Sequence, residues 1–331
     1  MSRGQDIPYQ LRPNKFIDRQ IFVDVLQNAL LGVPLSNYVY ISMGGKHLVD
    51  HENVYRKIGF SNLFAFDGEP IVVDRQICNR PTDSTVCKVM NSSELEGEID
   101  DIFNDFAGVS NFVAWIDYTE AHSRLTQLNE FSALLKKSRP GDLIRITMNA
   151  DIRTFRNKWD RKLSPKKDEW RANELKNQID EYFDDSVKKL DSELSLSIGL
   201  SKAVALASQK AKDEMVTPCD FHPILLTTYA DGLRMFTALV QVTELGEVPT
   251  TNQTEHRFYP SDWSDVLNIV APDLSLKEKV EIDKHLSKSP DEILASISFI
   301  PTGEQDQAEE AIESYQNLHR YYPTFYAIGI Q

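Results

Sequence analysis

Between Tyr38 and Asn149 the chain alternates short apolar runs with stretches whose apolar residues recur at helical spacing. Residues 38–43, 62–67, 84–90, 111–117 and 142–148 read as strands, and 47–57, 71–80, 95–106 and 126–135 as the helices between them. Each neighbouring pair of parallel strands needs a crossover, so this rhythm predicts a parallel sheet covered by helices. Upstream, Phe16, Ile17, Ile21, Phe22, Val25, Leu26 and Leu30 fall on one helical stripe, which predicts an additional N-terminal helix laid across the sheet.

The pattern changes after Asp151. Residues 151–216 are polar and helical, whereas 222–229 and 233–242 are strand-like and flank Asp231-Gly232, a strong hairpin signal. Beyond them, helical runs are broken at Pro272, Pro290 and Pro301. The expected architecture is α/β, a mostly parallel sheet ending in an antiparallel hairpin. Residues 1–245 would form this domain with a helical insertion over 151–216, and 246–331 a C-terminal helical appendage.

Composition narrows the function more than the fold. With 41% hydrophobic and 26% charged residues among 331, the chain is an ordinary globular sequence with enough apolar content for a large core. A formal net charge of −14 excludes a surface that is basic throughout, so any nucleic-acid contact must be local. One local candidate exists: residues 153–171 hold eight Lys/Arg against three Asp/Glu, with Trp159 and Trp170 interleaved. Arg153, Arg156, Lys158, Arg161, Lys166 and Lys167 would face phosphates while the indoles stack on bases. The competing reading is a solvated helical surface whose tryptophans pack inward. Cys78, Cys87 and Cys219 contain no C-x-x-C pair, which leaves buried free thiols as the expectation. No apolar leader or bilayer-length run is present, and a reducing cytoplasm is expected, without a membrane.

The residues with candidate chemistry lie where the strands end. Gly44-Gly45 closes the first strand, and Asp67, with Glu69 as its alternate, closes the second; this order suits a loop approaching a nucleoside and a carboxylate holding its ribose. A tight turn explains the glycines equally well, and a helix N-cap explains Asp67. Asp117 and Glu120 stand at and just beyond the fourth strand, where open α/β sheets place their ligands. His122 is a candidate base. His47, Asp50 and His51 have helical spacing for a metal, although surface positions are the expected reading. Arg75, Asn79 and Arg80 are candidates to reach the same cleft.

Taken in order, these segments resemble the class I methyltransferases, the S-adenosylmethionine-dependent Rossmann-like family, over roughly residues 14–242. Ile41-Ser-Met-Gly-Gly45 resembles the glycine-rich first motif and Phe66-Asp67-Gly-Glu69 the second. Asn91-Ser92 stands where the third motif meets the adenine, and Trp115-Ile-Asp117-Tyr118 resembles the fourth, beside the methyl group. The resemblance implies S-adenosylmethionine as cofactor, Gly44, Gly45, Asp67, Glu69, Asn91 and Ser92 as its contacts, and Asp117, Tyr118 and Glu120 as catalytic candidates. Two departures are visible. The acid that usually opens the first motif is absent near Tyr40–Ser42, and Asp117-Tyr118-Thr119-Glu120 replaces the Asp/Asn-Pro-Pro-aromatic run of amino-group methyltransferases. The alternative is a non-catalytic Rossmann-like module that binds nucleic acid or a protein partner through its helical segments. The general look also resembles accessory proteins of bacterial multi-gene systems such as anti-phage defence.

Overall fold

The computed structural model describes residues 12–159, 166–249, 255–301 and 307–323. Five strands run in parallel: β1 (Tyr38–Ser42), β2 (Leu63–Asp67), β3 (Val86–Val89), β4 (Asn111–Asp117) and β5 (Leu143–Asn149). Helices α2 (Val49–Lys57), α3 (Pro70–Asn79), α4 (Leu95–Asn104) and α5 (Arg124–Lys137) connect them in turn. The hairpin of β6 (Cys219–Ala230) and β7 (Arg234–Glu244) then joins the sheet, β7 pairing antiparallel with β5 through Leu143–Gln241 to Asn149–Met235. A three-residue edge piece, β8 (Leu267–Ile269), completes the order β3-β2-β1-β4-β5-β7-β6-β8. This is the α/β, mostly parallel sheet with an antiparallel closing hairpin expected from the sequence.

Strand order reverses between β1 and β4, both of which lie next to each other in register from Tyr38–Asn111 to Ser42–Trp115. At such a switch point the connections leave in opposite directions, and open α/β sheets bind their ligands in the crevice outside the carboxyl ends of the strands. The central strands are buried on both faces, as parallel strands covered by helices must be. Val39, Ile41, Phe64, Phe112, Ile144 and Leu200 belong to one continuous core that extends to α6 (Lys167–Ile179) and α7 (Glu193–Glu214). On the opposite face of the sheet Arg145, fully buried on β5, lies between the rings of Phe22 and Trp115, 4.4 and 4.0 Å from their centroids. The second half of α1 (Pro13–Ala29) therefore does cross the sheet, with Phe22 as its contact.

Two compact units emerge, one of residues 22–228 and 233–267, the other of 1–21, 229–232 and 268–331. In the smaller unit Asp231, at the hairpin tip, accepts from the backbone nitrogens of Asn14 and Lys15, the latter at 2.6 Å, and so caps the first turn of α1. Helices α8 (Leu276–Asp283), α9 (Pro290–Ser296) and α10 (Ala308–Leu318) belong to that unit. Serine caps start α8 and α9, each with a glutamate three residues on that returns the hydrogen bond.

The thiols depart from expectation. Cys219 is buried, but Cys78 is exposed on α3 and Cys87 half-buried on the edge strand β3. No helix among the described residues is long and apolar enough to cross a membrane.

Candidate functional site

The loop after β1 has the backbone of a ligand-approaching turn. Gly44 and Gly45 take φ of +63° and +54°, and Leu48 follows at +49°. The two glycines are required for different reasons. A Cβ on Gly44 would lie 2.6 Å from Leu48 Cδ2 and 2.7 Å from His51 Cε1, so this glycine is fixed by packing inside the protein. A Cβ on Gly45 meets nothing within 4 Å, which leaves its outer side open. Gly44 N–H donates to Ser42 Oγ at 3.2 Å, at the place where the family's acid is missing.

His51 is not the surface residue expected from its spacing. It is fully buried, and its Nε2 lies 3.0 Å from the carbonyl of Phe64 on β2. Burial pushes its pKa down to about 4, against the smaller opposing effects of that hydrogen bond and Asp50. No group of three or more metal-ligating side chains occurs among the described residues.

Asp67 ends β2 half-buried. Its Oδ1 accepts the Glu69 N–H at 2.9 Å, and no described residue donates to Oδ2. Desolvation raises its pKa, the Glu69 N–H opposes this, and Glu69's charge adds to the rise. The N-cap of α3 is Glu69, so Asp67 forms a local turn and is not the cap. Asn91 comes close to this strand end: a Cβ on Gly68 would lie 2.6 Å from its Oδ1. Asn91 and Glu94 form a reciprocal capping box, which fixes the Asn91 side chain at the end of β3.

On the other side of the switch point, Asp117 is the last residue of β4 and stands opposite Thr147 of β5. Tyr118 donates to Glu130 of α5 at 2.5 Å and also touches the Ser92 hydroxyl. Burial, and then Glu130, raise the Tyr118 pKa, so the phenol stays protonated. Ser92 and Tyr118, from two separate sequence motifs, thus meet in one wall. Glu120 is exposed, and its carbonyl accepts from Gln127 Nε2 at 2.7 Å; His122 is exposed as well.

Behind Asp117 is a polar brace that the sequence did not reveal. Asn149 Nδ2 donates to the Thr119 carbonyl at 3.0 Å, while the buried Arg124 guanidinium donates to the Asn149 carbonyl at 2.6 and 3.2 Å. Arg124 also reaches Gln178 of α6 at 2.5 Å, and its pKa is lowered by burial to about 10. The loops after β4 and β5 are held together by this guanidinium, which remains charged at neutral pH.

Among the described residues of the basic stretch, cations meet partners within the protein. Arg153 pairs with buried Asp151, Lys166 with Glu169 at 2.8 Å, and Lys167 lies 5.1 Å above the Trp159 ring. Trp170 packs against the core. Arg161 lies outside the described residues, as do the side chains of Arg156 and Lys158. Arg80 pairs with Asp83 at 2.9 Å, whereas Asn79 does reach the glycine loop, donating to the Lys46 carbonyl at 2.8 Å.

A protein-family model described as "Putative O-methyltransferase" matches residues 7–330. No curated protein matches the chain. Among solved structures, Trm1 from Pyrococcus horikoshii, crystallised with S-adenosyl-L-methionine, is 12% identical over 69% of this chain and 55% of its own, with a TM-score of 0.43. The N-methyltransferase NodS from Bradyrhizobium japonicum is 10% identical over 69% and 97%, at 0.37. An O-methyltransferase from Bacillus cereus, solved with SAH, is 13% identical over 72% and 84%, at 0.38.

Proposed function

The chain belongs to that O-methyltransferase family, and from this premise we propose that it binds S-adenosylmethionine at the β1–β4 switch point and transfers the methyl group to a hydroxyl or other oxygen acceptor. The observation that carries the reading is the convergence of Gly45, Asp67 and Asn91 at the carboxyl ends of three adjacent strands, with Asp117 across the crevice. The residues fit the cofactor: Gly45 leaves room on the outer side of its loop, and Asp67 Oδ2 is available to the ribose hydroxyls.

When bound, the cofactor supplies a methyl group already activated by its sulfonium, so the protein's part is positioning and proton removal. Asp67 would accept from the ribose, with Glu69 holding it by the N–H that fixes Oδ1. Asn91 and Ser92 would line the adenine side, and Tyr118, kept protonated and anchored by Glu130, would close it. Asp117 would take the acceptor's proton at the mouth of the crevice, with Glu120 at its rim. The Arg124–Asn149 brace keeps the Asp117 loop in place while the acceptor enters.

The absence of the Asp/Asn-Pro-Pro-aromatic run at 117–120 agrees with an oxygen acceptor. The alternative, nucleic-acid binding through Arg153, Lys166 and Lys167, has less support, because the described cations there are engaged by Asp151, Glu169 and Trp159. The test is single-turnover methyl transfer from labelled cofactor to a panel of phenols, carboxylates and nucleic acids, with wild type and Asp117→Asn. Transfer to an oxygen acceptor that Asp117→Asn slows at least a hundredfold supports the reading. Labelling confined to nitrogen or carbon acceptors contradicts it.

A further inference from the structure

Two carboxamides of α3 hold the loop after β1. Gln76, fully buried, places its Nε2 2.8 Å from the Met43 carbonyl and 3.4 Å from that of Gly45; Asn79 Nδ2 donates to the Lys46 carbonyl at 2.8 Å. Only the nitrogen of a carboxamide donates, so two facing carbonyls fix which way the Gln76 amide points. The loop needs such support. Gly44 and Gly45 have positive φ and lie between the end of β1 and the start of α2, so the carbonyls of this turn are not paired by a strand or helix ladder. The helix that supplies them begins three residues after Asp67.

We propose that Gln76, assisted by Asn79, is a positioning residue for cofactor binding, acting on the amino-acid end that the glycine loop would face: α3 ties that loop to the strand end carrying Asp67 and sets the two halves of the site at one spacing. The proposal rests on the cofactor site described above and adds to it a residue that no motif marks. A loop held in its bound conformation spares the ligand the cost of ordering it. Gln76 touches neither reacting atoms nor, on this account, the cofactor.

The experiment uses the full chain with Gln76→Met, which keeps side-chain length without the donor, and Asn79→Ala, which alters an exposed position and spares the core. Calorimetry with S-adenosylmethionine and with 5′-methylthioadenosine, which lacks the amino-acid end that the loop would face, is paired with amide hydrogen exchange on the free protein. Gln76→Met should weaken S-adenosylmethionine about tenfold, the loss expected for one to two hydrogen bonds, and leave methylthioadenosine within about twofold. Amides of residues 43–48 should exchange faster while those of β1 and β2 keep their protection. Asn79→Ala should shift both readouts in the same direction by less. Equal weakening of both ligands, or unchanged loop exchange, overturns the positioning role even when the wild type binds. If the wild type binds neither ligand, the cofactor reading fails first and this proposal with it.

Discussion

His51 Nε2 lies 3.0 Å from the Phe64 carbonyl, directly joining α2 to β2 beneath Gly44, whose added Cβ would meet His51 Cε1 at 2.7 Å. A ring that is neutral when folded donates through Nε2–H, and its depressed pKa makes folding sensitive to acid. Unfolded histidine takes up a proton below about 6.5 and the folded ring only near 4, so between these values the unfolded state binds more protons. His51's contribution to stability is therefore full above about pH 6.5 and falls as pH drops toward 4, by on the order of 3 kcal/mol, while buried Asp142, its pKa pushed up to about 7 by desolvation, contributes with the opposite sign. Denaturant titrations at pH 7, 5.5 and 4.5 should show the wild type losing stability relative to His51→Gln as pH falls.

The two glycines should respond differently to the same substitution. Gly44→Ala adds both a positive-φ penalty and a collision with Leu48 and His51, so a destabilisation of about 2–4 kcal/mol is expected. Gly45→Ala carries the conformational penalty alone, about 1 kcal/mol, yet places a methyl on the open side of the loop. Thermal unfolding should rank Gly44→Ala as the less stable variant, while Gly45→Ala loses cofactor affinity with its fold intact.

Tyr118 and Glu130 should behave as a coupled pair. A hydrogen bond from a phenol to a carboxylate in a half-buried wall contributes about 1.5–3 kcal/mol, so a double-mutant cycle with Tyr118→Phe and Glu130→Gln should show coupling of that order. Additive effects would mean that the contact carries no net energy.

For the basic stretch, Lys166→Glu/Lys167→Glu should leave salt-dependent RNA and DNA affinity unchanged, because these cations already face Glu169 and Trp159. A reduction of about two in the salt slope would restore nucleic-acid recognition as a function of residues 153–171.

The alternation of apolar runs was enough to place every strand of the parallel sheet and the Asp231-Gly232 hairpin, since strand and crossover periods differ plainly. Strand order is not written in local pattern, so the switch point that puts the ends of β1 and β4 side by side had to come from their pairing. Gly44-Gly45 was legible as a turn, but the reason for Gly44 was hidden in Leu48 and His51. Gln76 was invisible because a glutamine on a helix ordinarily faces water, and no periodicity distinguishes one that reaches a neighbouring loop. The same holds for Arg124, whose burial depends on the Asn149 carbonyl 25 positions away. Cys78 misled in the other direction: thiols are commonly buried, yet this one lies on the outer face of α3.

The central claim, a nucleoside cofactor held between Gly45 and Asp67, is tested most directly by calorimetric titration of the purified chain with S-adenosylmethionine and its demethylated product. Both should bind at micromolar concentration, weakened at least tenfold in Asp67→Ala without loss of fold. Absence of heat and of competition with either ligand, in a protein shown to be folded, would contradict it.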